Sequence, residues 1–407
     1  MNSKLRIFLK TFGWNSLTSN LVTLFMTLSF LYTSGRYAND IINGGDPYLT
    51  GDWLINYSGG FTSRGLIGHF LLILSSTIGT NLLWTAYFVQ VFIYLIFVLL
   101  TILIFRNIKD SFIWMIGLSP FFLIFDFLDT GGSFRKENMG FACLALLASA
   151  LVFEKYLLTL MTFSSIIFFF FCFSWEGGLS FLPIIILFLA RIYRRQKITK
   201  IHLCLNIIFY CLTTLTSFIA IIYSQKNLSD LSSKKVCQSL TSRGLDENIC
   251  SGRILSINNN GQVQVLDGLE KLWQQYNGTR FIPLLLLGLL PLAISGWIAA
   301  NRFVFVVLIV SVVPLFLVPT DYGRNLHILG VFLSLSWAVD KFGQNNFSPD
   351  ITEQSHLKTK GLYFTIFSIL YTTLWRLPAL GVQDGSEFFG VAARITSWIL
   401  KLFNLLA

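Results

Sequence analysis

Charge is scarce in this chain. Asp, Glu, Lys and Arg make up 12% of its 407 residues, roughly half of what a soluble domain carries. Histidine is rarer still, with four residues. No Cys-x-x-Cys, no His-Glu-x-x-His and no His cluster with metal-ligand spacing occurs. A Walker A loop, a Gly-x-Gly-x-x-Gly after a strand and a Gly-x-Ser-x-Gly elbow are all missing. These absences argue against nucleotide-driven transport and zinc proteolysis. Neither a low-complexity tract nor the internal repeat common in transporters is visible.

What fills the chain instead is apolar. Hydrophobic residues reach 54%, aromatic ones 16%, with 40 Phe and a mean hydropathy of +0.66. Several runs approach the roughly 20 residues that cross about 30 Å of hydrocarbon. They are continuous blocks, not short alternating strands, which excludes a barrel. The reading is an all-α, polytopic integral membrane bundle of about 11–12 transmembrane helices. Candidate spans cover 15–33, 82–105, 111–125, 138–153, 156–173, 179–190, 201–223, 281–299, 303–319, 326–340 and 361–375, with a further one at 387–405. Residues 1–407 form one membrane domain, into which 224–280 inserts as a loop subdomain.

Lys4, Arg6 and Lys10 precede the first span, which lacks a small-residue cleavage site and reads as a retained anchor. With the N-terminus in the cytoplasm, alternation puts Arg106, Lys109, Lys155, Arg302, Lys341 and the cluster RIYRRQKITK (191–200) inside. The net charge of +10 is therefore assigned to cytoplasmic loops and not to nucleic acid. Residues 65–79 would span only about 22 Å as a helix. A crossing there would invert the basic cluster, so this segment reads as re-entrant or interfacial on the outer side.

Under this assignment four polar motifs fall on the outer face. GGDPYLTGDW (44–53) and SGGFTSRGLIG (58–68) bring Asp46, Asp52 and Arg64. The glycines allow close backbone approach to a ligand. Arg64 and the N-terminal amides of the following helix together make an anion site. FDFLDTGGSFRKENMG (125–140) brings Asp126 and Asp129 on one helical face, then Arg135, Lys136 and Glu137. FSWEGGLSF (173–181) brings Glu176, whose burial would suit it to proton transfer. VPTDYGRNLHILG (318–330) brings Asp321, Arg324 and His327. There Arg324 either pairs with Asp321 or holds a phosphate that Asp321 orients, and His327 reads as a hydrogen-bonded interior residue. Cys237 and Cys250 share the loop 224–280, where an oxidising compartment permits a disulfide.

Arginine suits pyrophosphate through bidentate bonding. A carboxylate suits activation of a sugar hydroxyl, and a departing lipid phosphate needs cations. The pattern thus describes glycan transfer from a polyprenyl (pyro)phosphate carrier. The donor carries its own activation, so no cofactor is required; a divalent metal at Asp126 and Asp129 stays open. The set SGGFTSRGLIG, FRKE, WEGG and DYGRN, each at a span end, resembles bacterial membrane proteins of surface-polysaccharide loci, similar to O-antigen (Wzy-type) polymerases. The resemblance implies an inner-membrane enzyme with its site on the outer side. It makes Arg64, Arg135 and Arg324 the residues for the lipid-linked repeat. Its partners would be polyprenyl-linked glycan and membrane lipid. This chain departs in having its longest loop mid-chain. Two alternatives stand beside it. One is a GT-C-type transferase using a polyprenyl-phosphate sugar, with Asp46 or Asp52 of the first loop as the catalytic acid residue. The other is a transporter of a lipid-linked glycan or an anion.

Overall fold

Apolar blocks bounded by Gly, Asn and Pro set the helix ends. The structure, a computed structural model, describes residues 14–108, 110–129, 131–196, 198–227, 231–258, 281–316, 322–345, 357–378 and 390. Its principal helices are α1 (Trp14–Ile42), α2 (Leu66–Ile78), α3 (Leu82–Arg106), α4 (Glu137–Val152), α5 (Leu157–Cys172) and α6 (Leu182–Gln196). They continue as α7 (Lys200–Asn227), α8 (Ser232–Thr241), α9 (Phe281–Ile294), α10 (Arg302–Phe316), α11 (Tyr322–Asn345) and α12 (Leu357–Leu374). Short helical turns join them, and no sheet forms among the described residues.

The centre is α4. Every residue from Glu137 to Leu151 is buried. Its small residues, Gly140, Ala142, Cys143, Ala145, Ala148 and Ala150, let α3, α5, α6 and α11 close around it. A helix that is apolar all round belongs in the interior. The periphery is the opposite. On α7 the residues Leu205, Ile208, Leu212, Leu215 and Ile219 form an outward face, each more than half exposed. Water would not tolerate that stripe, whereas lipid would.

Three segments are long and apolar enough to cross a membrane: Leu82–Arg106, Glu176–Arg195 and Lys200–Lys226. The expected count of 11–12 is therefore not reached among the described residues. The apolar blocks α2, α4, α5, α9 and α10 are shorter helices. At 16 residues, α4 and α5 are about 24 Å long, below the hydrocarbon thickness. The expected span 111–125 breaks into helical turns at Ile113–Gly117 and Ile124–Leu128, with Ser119 and Pro120 between them. The block 281–299 stops at Ile294, where Gly296 takes φ 73°. The block 326–340 lies within α11 and is almost wholly buried, so protein and not lipid surrounds it. The candidate at 387–405 lies outside the described residues, apart from Gly390. A helix does form within 65–79; at 13 residues, α2 is about 20 Å long.

The first loop is built to be rigid. Gly45 N–H reaches back to the Asp40 carbonyl at 2.8 Å, closing α1 in a turn that needs the positive φ of Gly44 and Gly45. Asp46 then starts a one-turn helix, Thr50–Trp53. Its carboxylate accepts the amides of Tyr48 and Leu49, and its carbonyl those of Thr50 and Gly51. Over this loop lies a cap made of α8 and the turn Glu247–Cys250, joined by a Cys237–Cys250 disulfide. The sequence left that bond open, and the structure forms it.

Candidate functional site

The site grows from the loop that enters α4. Phe134 adopts a left-handed backbone, φ 51°, and among the described residues it is the one non-glycine that does. Such a conformation costs about 1–2 kcal/mol. Packing holds it: the ring stacks on Tyr37 at 4.7 Å and meets Tyr94 edge-on at 5.2 Å, while its carbonyl accepts the Trp53 indole N–H at 2.8 Å. The turn sends three successive side chains to three places. Arg135 donates to the carbonyls of Gly131 at 3.0 Å and Tyr48 at 2.7 Å. Lys136, fully buried, lies 3.5 Å from Asp52 and donates to the Arg64 carbonyl at 3.3 Å. Glu137 receives Arg324 in a bidentate pair, 2.7 Å from Nε and 2.9 Å from Nη2.

Arg64 reaches the same end of the bundle from the other side. Its Nε donates to both oxygens of Glu176, at 2.8 and 2.7 Å. Ser63 adds a hydroxyl bond to Glu176 Oε1 at 2.9 Å, and its own amide is held by Ser224 Oγ. This pair is the open one. Arg64 and Glu176 are 29% and 30% exposed, against 8% and 4% for Arg324 and Glu137. The two Nη atoms of Arg64 have no protein hydrogen bond among the described residues.

Asp52 lies among cations. Burial pushes its carboxyl up, but Lys136, Arg64, Arg253 and Arg135 together outweigh that and hold it below its ordinary value. Lys136 shows the reverse balance: burial pulls its ammonium down more than Asp52 holds it up. At 3.5 Å the pair is too long for a good hydrogen bond, and Asp52 Oδ1 is buried without one among the described residues. Five cations, Arg64, Arg135, Lys136, Arg253 and Arg324, thus share this end with three carboxylates, Asp52, Glu137 and Glu176. Positive charge is in excess.

The motifs read from the sequence converge here, though several roles change. Asp46 is used up as a backbone cap. Asp126 is 1% exposed, bonded to the Tyr94 hydroxyl, and within electrostatic reach of Glu137, though no cation pairs with it among the described residues. Asp129 closes the short helix beside it and is half-buried. Glu176 has a guanidinium partner in Arg64. The first amides of α2 are not open to an anion, because Leu66 and Ile67 donate to the Phe173 carbonyl and Ser174 Oγ. The glycine spacing of 58–68 serves packing: Gly68 lies on the Ile55 carbonyl with no room for a Cβ. Arg324 pairs with Glu137, and Asp321 lies outside the described residues. His327 is interior, with Phe125 and Phe141 packed on it, and neither ring nitrogen makes a close hydrogen bond among the described residues. Among the described residues no three His, Cys, Asp or Glu side chains gather as a metal-ligand set.

Sequence reasoning missed Arg253 and Phe134. The signal for Arg253 was its place three residues after Cys250. Phe134 had none, since nothing in GGSF names the residue that turns left-handed. No family model, curated protein or solved structure matches the chain.

Proposed function

We propose that the protein transfers a glycan from a polyprenyl (pyro)phosphate carrier, as in surface-polysaccharide synthesis, at the outer membrane face. The observation that carries this reading is the excess of cations around a part-open Arg64–Glu176 pair, at one end of helices with lipid-type outer faces. A lipid-linked phosphate would lay its chain along those faces and its head against the cations. In the transfer an acceptor hydroxyl attacks the anomeric carbon and the bond from that carbon to the phosphate oxygen breaks. The electron pair leaves on the phosphate, where Arg64 and Lys136 offset the charge. The hydroxyl proton goes to a carboxylate. Glu137 and Glu176 are each held by an arginine through short bonds, whereas Asp52 Oδ1 has only the longer 3.5 Å ion pair with Lys136. Asp52 is therefore our base.

That choice favours a second reading, a GT-C-type transferase moving one sugar from a polyprenyl-phosphate donor with a first-loop carboxylate. One assay separates them. Purified protein in nanodiscs is given polyprenyl-linked glycan, or a polyprenyl-phosphate sugar plus acceptor, with no nucleotide. A ladder of lengthening glycans supports the polymerase, and a single added sugar supports the second reading. Lipid movement across a vesicle bilayer without any new glycosidic bond overturns both and makes the cations a passage.

A further inference from the structure

We propose that Phe61 and Tyr223 form an aromatic shelf that stacks on the sugar ring joined to the substrate's phosphate. The inference rests on reading the Arg64 end as a phosphate site, and it names what binds beside that phosphate.

The rings gather beside the open ion pair. Phe61 stacks on Tyr57, with ring centroids 5.6 Å apart and planes 8° from parallel, and meets Tyr223 of α7 edge-on at 5.7 Å. Tyr57 in turn packs against His69 of α2 at 5.4 Å. Phe61 is 39% exposed and Tyr223 56%. The group borders Arg64 on two sides. On one, the Tyr57 ring lies so close to Gly65, the residue after Arg64, that a Cβ there would overlap it. On the other, Ser224, next to Tyr223, accepts the Ser63 amide at 3.2 Å, and the Ser63 hydroxyl donates to Glu176 at 2.9 Å. The backbone that carries Phe61 is fixed as well. Asn56 Oδ1 accepts the Ser58 amide at 2.9 Å, and Gly59 lies on the Ser232 carbonyl of the cap with no room for a Cβ. A ring that only anchors a chain in lipid needs no fixed backbone, whereas a binding surface gains from one. The neighbours select the occupant. An aromatic face carries partial negative charge and attracts the C–H face of a sugar. The half-buried Tyr57 hydroxyl and the exposed His69 imidazole add hydrogen-bonding edges beside those faces. An isoprenoid tail would use neither edge. A phosphate held by Arg64 carries its sugar through one bridging oxygen, which sets that ring beside the shelf.

The test titrates methyl phosphate, a panel of hexose 1-phosphates and dimethylallyl phosphate into the full-length protein in nanodiscs, by calorimetry. The parent is expected to bind at least one hexose 1-phosphate about 3–10-fold more tightly than methyl phosphate. Phe61→Leu keeps the apolar bulk and removes the aromatic face. It is expected to abolish the gain from the sugar and to leave methyl phosphate affinity unchanged, while Phe61→Tyr keeps the gain. A ring that served packing or lipid contact would tolerate Leu in every titration. Tyr223→Leu, at the more exposed ring, is expected to lose part of the gain and carries the test where Phe61→Leu fails to fold. A gain retained in both Leu variants overturns the shelf. So do hexose 1-phosphates that bind no more tightly than methyl phosphate; where both bind the parent and are lost in Arg64→Ala, the phosphate site still stands. A gain seen with dimethylallyl phosphate and not with any hexose assigns the rings to the lipid chain and overturns the sugar. Phosphate compounds that bind neither the parent nor any variant overturn the phosphate site and this inference with it.

Discussion

The two ends of the helix bundle both carry cations, and they carry them differently. At the far end, Arg191 meets Asp340 at 3.1 Å and Lys341 meets Asp110 at 3.0 Å, with all four side chains 16–24% exposed. Arg106, Arg194 and Arg195 occupy the last turns of α3 and α6, where the helix macrodipole favours positive charge. The chain's own architecture explains these residues. At the site end, Arg64 immediately precedes α2, Lys136 caps α4 and Arg324 lies in the first turn of α11. There the macrodipole opposes a cation, and burial opposes it again. Each of these three cations is placed against both effects and is offset by a carboxylate, Glu176, Asp52 or Glu137. This contrast is why we place the proposed site at this end.

Breaking the buried bidentate pair tests this contrast with the largest effect. Arg324→Ala leaves Glu137 charged and enclosed, and is expected to cost about 3–5 kcal/mol of stability, read as a lower melting temperature in nanodiscs. The double change Arg324→Leu/Glu137→Leu is expected to recover most of that loss while leaving transfer inactive. Recovery of activity as well would mean that the pair is structural only.

Arg64 comes next, and here activity and stability should part. Arg64→Ala is expected to lower transfer about 10²–10³-fold with little change in melting, since the pair is nearly a third exposed. Arg64→Lys should rescue poorly, because an ammonium lacks the planar fork. Transfer at the parental rate in Arg64→Ala would remove it from the site.

Much of this end could be read from residue types alone, and the reasons differ by residue. Arg64, Lys136, Glu137, Glu176 and Arg324 were legible because charge in an apolar chain is conspicuous. Their pairing was not. Arg324 bonds Glu137, 187 residues back. Sequence spacing reports local neighbours, and this site is built from contacts between helices. The span count failed for a related reason. Apolar blocks such as α4 and α11 meet protein on every side, and hydropathy does not distinguish a lipid neighbour from a buried one.

Acid provides a smaller test of the same end. The cations hold the folded Asp52 carboxyl below its ordinary value, so its stabilising contribution is present above about pH 4. It is lost as pH falls through the lowered folded value. Lys136 works the other way: its ammonium is easier to deprotonate in the folded chain, so folding gains as pH rises through that lowered value. Asp52→Asn should lower stability at neutral pH by leaving Lys136 without its carboxylate, and should flatten the fall in melting temperature below about pH 4. An acid limb identical to the parent's would show that Asp52 is not ionised among these cations.

The far end should yield the smallest effect on transfer, and that is its value as a control. Asp340→Ala removes an acceptor shared by the part-buried Arg191 and the buried Trp297 indole. Arg191 is part-buried, with Nη1 enclosed, and its long apolar stem leaves the guanidinium nearer the surface than that of Arg324. The expected loss is about 1–3 kcal/mol, below that at Arg324, with transfer unchanged. Equal damage at the two ends would refute the contrast, because both sets of cations would then be serving the fold. A mild loss here beside a severe one at Arg324 would mean that burial against the helix dipole is tolerated only where an anion is to be held.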